Sequence, residues 1–166
     1  YVATPQYAAD GCEGPNYRSI LFAREARPLE TFRNAIAAVN TPDSMSGMLA
    51  LKLVFAPFAA DGRFFARAVE TGGHLASLTA VQQGRADVCA IDCVCVALAR
   101  RYRPAALQGL VEVARSPQVP GLPWITRAGD PLAIRAALRG AFDDPTLAAA
   151  RDALLLSGFS VLPEGA

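Results

Sequence analysis

The chain has 166 residues, of which 52% are hydrophobic and 19% charged, and its net charge is +1. That balance excludes an intrinsically disordered chain, and the lack of a long basic stripe excludes a nucleic-acid backbone as partner. The apolar share, mostly alanine and leucine, is high for a free-standing soluble domain. Lys52 is the sole lysine, so a cation used in anion recognition is expected to be an arginine fork. No run reaches the roughly 18–20 apolar residues that cross a bilayer. The opening Tyr1-Val2-Ala3-Thr4-Pro5 has no signal-peptide pattern and no initiator methionine, so the chain is expected to be processed or cut from something longer.

Residues 19–23 (Ser-Ile-Leu-Phe-Ala) follow a turn-rich stretch and predict a buried strand. Residues 28–33 predict one or two helical turns, and 36–40 a second strand ended by the turn signal Asn40-Thr41-Pro42-Asp43. Ser44 or Ser46 then caps a helix running through Met48, Leu51 and Val54 as far as Pro57. Residues 64–69 are apolar and fit helix or strand. Thr71-Gly72-Gly73-His74 opens another helix with Leu75, Leu78 and Val81 on one face, ended by Gly84 in a left-handed cap. Residues 87–92 predict a strand with Asp92 at its C-terminal end, 93–103 a helix closed by Pro104, and 110–114 a strand. Residues 117–123, with three prolines, predict an extended crossing segment, and 124–126 a short strand. Residues 131–142 and 146–156 predict amphipathic helices.

Strands and helices alternate, and the strand runs are continuously apolar. Both features predict an α/β fold with a mostly parallel sheet flanked by helices. In such folds ligands sit beyond the C-terminal ends of the strands. Three sequence features fall there. Ser44, Ser46 and Gly47 open one helix, where unpaired N–H groups and the dipole favour an anion. Ordinary N-capping explains the same serines. Thr71, Gly72 and His74 open the next, and two such loops at equivalent strand ends would converge on one cleft. Asp92 can accept a bond from a ligand hydroxyl or ammonium group, or cap the helix that follows. Its neighbour Cys93 invites a nucleophile reading with His74 as base, but no hydrolase signature surrounds it. Cys89, Cys93 and Cys95 lie in an apolar run and, with distant Cys12, match no zinc-knuckle spacing; they read as small buried hydrophobes, and no metal or cofactor is expected. Tyr7 and Tyr17 flank a glycine-rich loop and are cleft candidates or packing residues.

Several spaced motifs agree in order: Thr4-Pro5-x-Tyr7, Gly11-Cys12-x-Gly14-Pro15-x-Tyr17-Arg18-Ser19, Asn40-x3-Ser44-x-Ser46-Gly47, Glu70-Thr71-Gly72-x-His74-x2-Ser77-Leu78, Ala90-Ile91-Asp92 and Pro120-Gly121-x-Pro123. Together they resemble the phosphate/phosphonate-type substrate-binding proteins of ABC transporters, which have the type II periplasmic binding protein fold. The resemblance implies two α/β lobes closing on a small anionic solute, with an ABC transporter permease as partner and a periplasmic or cell-envelope location. It implies ligand contacts from Ser44, Ser46, Gly47, Thr71, Gly72 and His74, with Asp92 and Tyr7 as further candidates. It implies no catalytic residue. Family members often carry serine where this chain has Gly73, which removes one hydroxyl donor.

By the same resemblance residues 1–124 correspond to the second lobe with its two hinge crossings, 1–7 and 117–127, and 125–166 to elements that return to a first lobe preceding Tyr1. A fragment or a truncated protein is then expected, with residues 128–162 covered by a homo-oligomeric partner copy. A biosynthetic enzyme on the same fold, using His74, Asp92 and Cys93, and a regulatory ligand-sensing domain are the alternatives.

Overall fold

The computed structural model describes residues 1–127 and 129–163. The chain divides into two compact units: Arg18–Gln118, and a second unit that joins Tyr1–Tyr17 to the chain from Val119 onward. This division differs at both ends from the expected lobe of residues 1–124. Residue 128 and residues 164–166, which fall in the expected C-terminal and partner-covered segments, lie outside the described residues.

The unit Arg18–Gln118 is built on a five-stranded sheet. In chain order its strands are β3 (Ser19–Ala23), β4 (Ile36–Val39), β5 (Arg67–Glu70), β6 (Val88–Asp92) and β7 (Val111–Arg115), after the short β1 (Thr4–Tyr7) and β2 (Asn16–Tyr17) of the other unit. The spatial order is β5-β4-β6-β3-β7. Strand β4 pairs in parallel with both β5 and β6, while β3 is antiparallel to both β6 and β7. Strand β7 therefore runs in the sense of β6, and only β3 is reversed. The interior strands β3 and β6 are apolar except for Ser19 and Asp92 at their ends, as strands covered on both faces are. The edge strands β5 and β7 carry Arg67, Glu70, Glu112 and Arg115 and are largely exposed, which discourages further pairing.

One face of the sheet packs Leu21, Val39, Val88 and Ala90 with Phe32, Leu51, Phe55 and Phe64 in a single core cluster. The alternate residues Ile20, Phe22, Cys89 and Ile91 are buried as well and point to the opposite face. Helix α1 (Ala50–Phe55), α2 (His74–Gln82) and α3 (Cys93–Tyr102) each follow a parallel strand. Gly84 takes φ of +71° after α2, as a left-handed cap requires. Leu75 departs from expectation: Leu78 and Val81 are fully buried, but Leu75 is 43% exposed. The ambiguous segment at 64–69 resolves into β5 preceded by two core-facing phenylalanines.

The start of β6 is tied down by one salt-bridged cluster. Arg24 donates to the carbonyls of Val81 (2.6 Å) and Ala86 (2.9 Å) and lies 3.6 Å from Asp87. Asp87 in turn accepts from the backbone N–H of Ile36 at 2.8 Å, which joins the beginnings of β4 and β6. Substituting Arg24→Ala is expected to lower stability by about 1–3 kcal/mol, because two carbonyls lose a charged donor. A fall in the urea midpoint at constant m-value checks it.

In the other unit, β1 pairs antiparallel with β9 (Leu156–Ser160), and β2 with β8 (Val119–Pro120). Helix α4 (Pro131–Asp143) begins with proline in its first turn and is capped by Asp130, whose carboxylate accepts from Leu132 N at 2.8 Å. Helix α5 (Ala148–Ala153) is shorter than the expected helix over 146–156. Leu155 takes φ of +57°, and the chain turns there into β9, whose pairing with β1 outweighs the local helical pattern. Arg151 donates to the carbonyls of Ala141 and Asp144 and fixes α5 against the end of α4. Neither helix contributes a fully buried residue, and Leu132 is 65% exposed. Among the described residues no helix is long and apolar enough to cross a membrane.

Candidate functional site

Because β4, β5 and β6 are adjacent and parallel, their C-terminal ends lie along one sheet edge. Each end is followed by a helix start, and backbone bonds draw two of the loops together. Thr71 N donates to Val39 O at 2.8 Å and Gly72 N to Asn40 O at 2.9 Å. Gly72 has φ of +80°, a conformation that glycine adopts without steric cost.

The serine-rich start is not a plain α-helix. Ser44 caps a turn of π-helix over Met45–Leu49, which runs on into α1, and its carbonyl accepts from both Met48 N and Leu49 N. Such wide turns recur at functional sites, because they re-aim side chains that a regular helix would stack. The Ser44 hydroxyl oxygen accepts from Gly47 N at 3.0 Å. A Cβ on Gly47 would overlap the side-chain oxygen of Asn40, so this glycine is set by close approach rather than by φ.

His74, the first residue of α2, meets this turn directly. Its Nε2 lies 3.0 Å from the Ser46 hydroxyl and 3.9 Å from Asp92 Oδ2. Ser46 is 7% exposed. Burial pushes the imidazole below its ordinary pKa of 6.5, and the Asp92 carboxylate offsets part of that. Asp92 caps α3, its Oδ1 accepting from Cys95 N at 2.8 Å, which leaves Oδ2 turned toward His74. The Cys95 thiol is pushed up to about 12, chiefly by burial and then by the neighbouring carboxylate.

Thus the fold brings Ser44, Ser46, Gly47, His74 and Asp92 to one place. Thr71 and Gly72 belong to the adjoining turn, where the Thr71 hydroxyl contacts Val39 O, Gly73 O and the Ser77 hydroxyl; it is committed to holding the loop. Tyr7 lies in the other unit, on β1 opposite Leu156. Cys93 is 1% exposed, so burial removes it as an accessible nucleophile. Two further residues join the cluster that the sequence reading did not place among the ligand contacts. Asn40 presents a buried side-chain oxygen without a hydrogen-bond partner. Cys95 stands beside Asp92, and the signal was its position three residues after a capping aspartate, which directs that backbone N–H to the carboxylate.

An oxyanion fits this arrangement. The π-turn and α2 present N–H groups that lack intrahelical acceptors, and Ser46 and His74 supply two side chains that can donate. The free oxygen of Asp92 suits a ligand's own proton donor.

Solved structures share the fold. The binding-protein component of an ABC phosphonate transporter from Pseudomonas aeruginosa is 22% identical with a TM-score of 0.72; the match covers 96% of this chain and 56% of that one. PhnD1 from Prochlorococcus marinus, in complex with methylphosphonate, is 14% identical with a TM-score of 0.77, covering 98% and 66%. XAC2383 from Xanthomonas citri, bound to ATP, is 22% identical with a TM-score of 0.69, covering 98% and 66%. The chain spans less than two thirds of the length of each. These likenesses show the α/β fold of type II periplasmic binding proteins. The family model for the periplasmic phosphonate substrate-binding protein of ABC transporters matches residues 1–160, and the chain belongs to that family. No curated protein matches it.

Proposed function

We propose that the chain binds a small oxyanion of the phosphonate or phosphate kind, as the solute-binding component of an ABC importer. It does no chemistry on that ligand. In this reading Ser44, Ser46, Gly47 and His74 hold the anionic head, Thr71 and Gly72 position the loop, and Asp92 takes a hydroxyl or ammonium group of the ligand. Tyr7, on β1, is a further candidate ligand contact. The periplasm is the compartment, and a permease is the protein that receives the solute.

The observation that carries this reading is the 3.0 Å contact between Ser46 and His74, which joins two separate helix starts at one point. Ser44 caps its own turn and no side chain caps α2, so N-capping does not account for the bond between Ser46 and His74.

Titration calorimetry with methylphosphonate, inorganic phosphate and sulfate tests the proposal. One-to-one binding of a phosphorus oxyanion is the expected result, and no heat with any of the three would overturn it. A gain-of-function variant makes the test sharper. Gly73 has extended backbone (φ −178°), no side-chain cap, and nothing within 4 Å of an added Cβ. Gly73→Ser therefore fits without strain and adds a hydroxyl at the start of α2. It is expected to tighten anion binding by about 3- to 10-fold, the equivalent of one further hydrogen bond. An unchanged dissociation constant would place the anion away from α2.

A further inference from the structure

We propose that His74, Asp92 and Cys95 form a binding site for a divalent transition-metal ion of the zinc type. One donor atom from each of the three side chains lies within 4.8 Å of the other two. They come from only two pieces of backbone: His74 opens α2, while Asp92 and Cys95 belong to the capped first turn of α3.

The Cys95 thiol hydrogen-bonds to the Asp92 carboxylate, but the gap between His74 and Asp92 fits a shared ion rather than a direct bond. His74 Nε2 and Asp92 Oδ2 are 3.9 Å apart, too far for a hydrogen bond. Two ligands of a tetrahedral zinc ion with bonds of about 2.1 Å stand about 3.4 Å apart, so this pair needs to close by only about half an ångström. The widest gap, at most 4.8 Å, is within reach of side-chain rotation about χ1. The backbone beneath is already fixed, since Asp92 Oδ1 holds Cys95 N at 2.8 Å and leaves Oδ2 to the ion.

The donor set selects the metal. One imidazole nitrogen, one carboxylate oxygen and one thiolate sulfur suit zinc and its neighbours; magnesium and calcium require a cage of oxygens. Three protein ligands leave a fourth position open, as in a site that exchanges a bound molecule. An entry path exists as well: His74 and Cys95 both line an apolar cavity of about 270 Å³ bounded by Leu75, Leu78 and Tyr102. On binding, the Ser46 contact with His74 Nε2 and the thiol hydrogen bond to Asp92 are given up, the Cys95 S–H bond breaks, nitrogen–, oxygen– and sulfur–metal bonds form, and the thiol proton leaves to solvent.

This site shares His74 and Asp92 with the proposed anion site but does not depend on it. The two are separated by titrating metal without anion, and anion in the presence of a chelator. Cobalt(II) added to the purified protein should give a thiolate-to-cobalt charge-transfer band and tetrahedral d–d bands, saturating at one ion per chain, with zinc displacing it and one proton released. Cys95→Ser should abolish the charge-transfer band and weaken zinc at least about tenfold. Asp92→Asn keeps an amide oxygen to cap α3, so it should stay folded by circular dichroism while also weakening zinc by at least about tenfold. Cys12→Ser should leave the band intact. Absence of the band in the unmodified protein overturns the proposal, as does its persistence in Cys95→Ser or its loss in Cys12→Ser.

Discussion

Substituting His74→Ala should weaken phosphonate binding by about 30- to 100-fold, the equivalent of about 2–3 kcal/mol for a donor to a charged group. Ser46→Ala should weaken it by less, because a neutral hydroxyl contributes less than an imidazole that can become charged. The two losses should not add. The side chains bond to each other at 3.0 Å, so removing either one already disturbs the other, and a double-mutant cycle should show a coupling of about 0.5 kcal/mol or more. Binding should also be linked to protons. Burial lowers the imidazole's pKa in the empty site, against the opposing pull of Asp92, and so favours its neutral form. A bound anion favours the imidazolium, and the complex takes up a proton. Calorimetric enthalpies measured in buffers of different ionisation heat should then differ, and in His74→Ala the imidazole's share of that difference should be lost, leaving only the ligand's own proton exchange. The empty fold responds in the opposite sense. With the folded pKa lowered, the unfolded chain takes the proton first; the stabilising contribution is complete above about 6.5 and is lost as the pH falls through the folded value. The same buffer dependence in His74→Ala as in the parent would remove His74 from the anion's immediate contacts.

The parts of this site that are legible in sequence are those whose cause is local. Residues 20–23 of β3 and 88–91 of β6 are continuous apolar runs, so their burial on both faces can be read directly. Ser44, Gly72 and Asp92 are set by a cap, a left-handed φ and a second cap, each a short-range requirement. The meeting of the two loops follows from parallel strand ends. What sequence does not show is set by pairings across long stretches of chain. β1 and β9 stand some 150 residues apart and each is too short to announce itself, so the helix expected over 146–156 overruns the end of α5 to the first residue of β9. Thr71 looks like a ligand donor until its bonds to Val39, Gly73 and Ser77 are seen. Cys95 looks like a core residue, as Cys89 is, until α2 delivers His74 to within reach of it. The wide turn over Met45–Leu49 has no sequence signature beyond Gly47, whose contact with Asn40 exists only once β4 has formed.

The largest effect on stability should come from Phe55→Ala, at about 3–5 kcal/mol. Phe55 is 1% exposed and ends α1. Its ring stacks on Phe64 with centroids 4.8 Å apart, meets Phe65 edge-on at 4.9 Å and Phe32 at 6.0 Å. Truncation removes all three contacts together with the ring's buried area, and each aromatic pair adds about 0.5–1.5 kcal/mol beyond burial. One feature moderates the loss. A cavity of about 620 Å³ on this face is lined by Met48, Leu51, Phe64 and Phe65 as well as Phe55, so the neighbouring rings have space in which to shift. The cost depends on how far such a site collapses, which favours the lower half of the range. Phe55→Leu should cost about 1–2 kcal/mol, since much of the volume remains. The consequence reaches the anion site, because the turn over Met45–Leu49 runs without a break into α1. Anion at about 100 times its dissociation constant should restore about 2.7 kcal/mol to the variant by mass action alone. Urea unfolding with and without phosphonate separates the two effects. If the ligand-induced shift in the variant matches that in the parent, Phe55 supports only the fold. If it is smaller, packing beneath α1 also holds Ser46 and Gly47 in the geometry that binds.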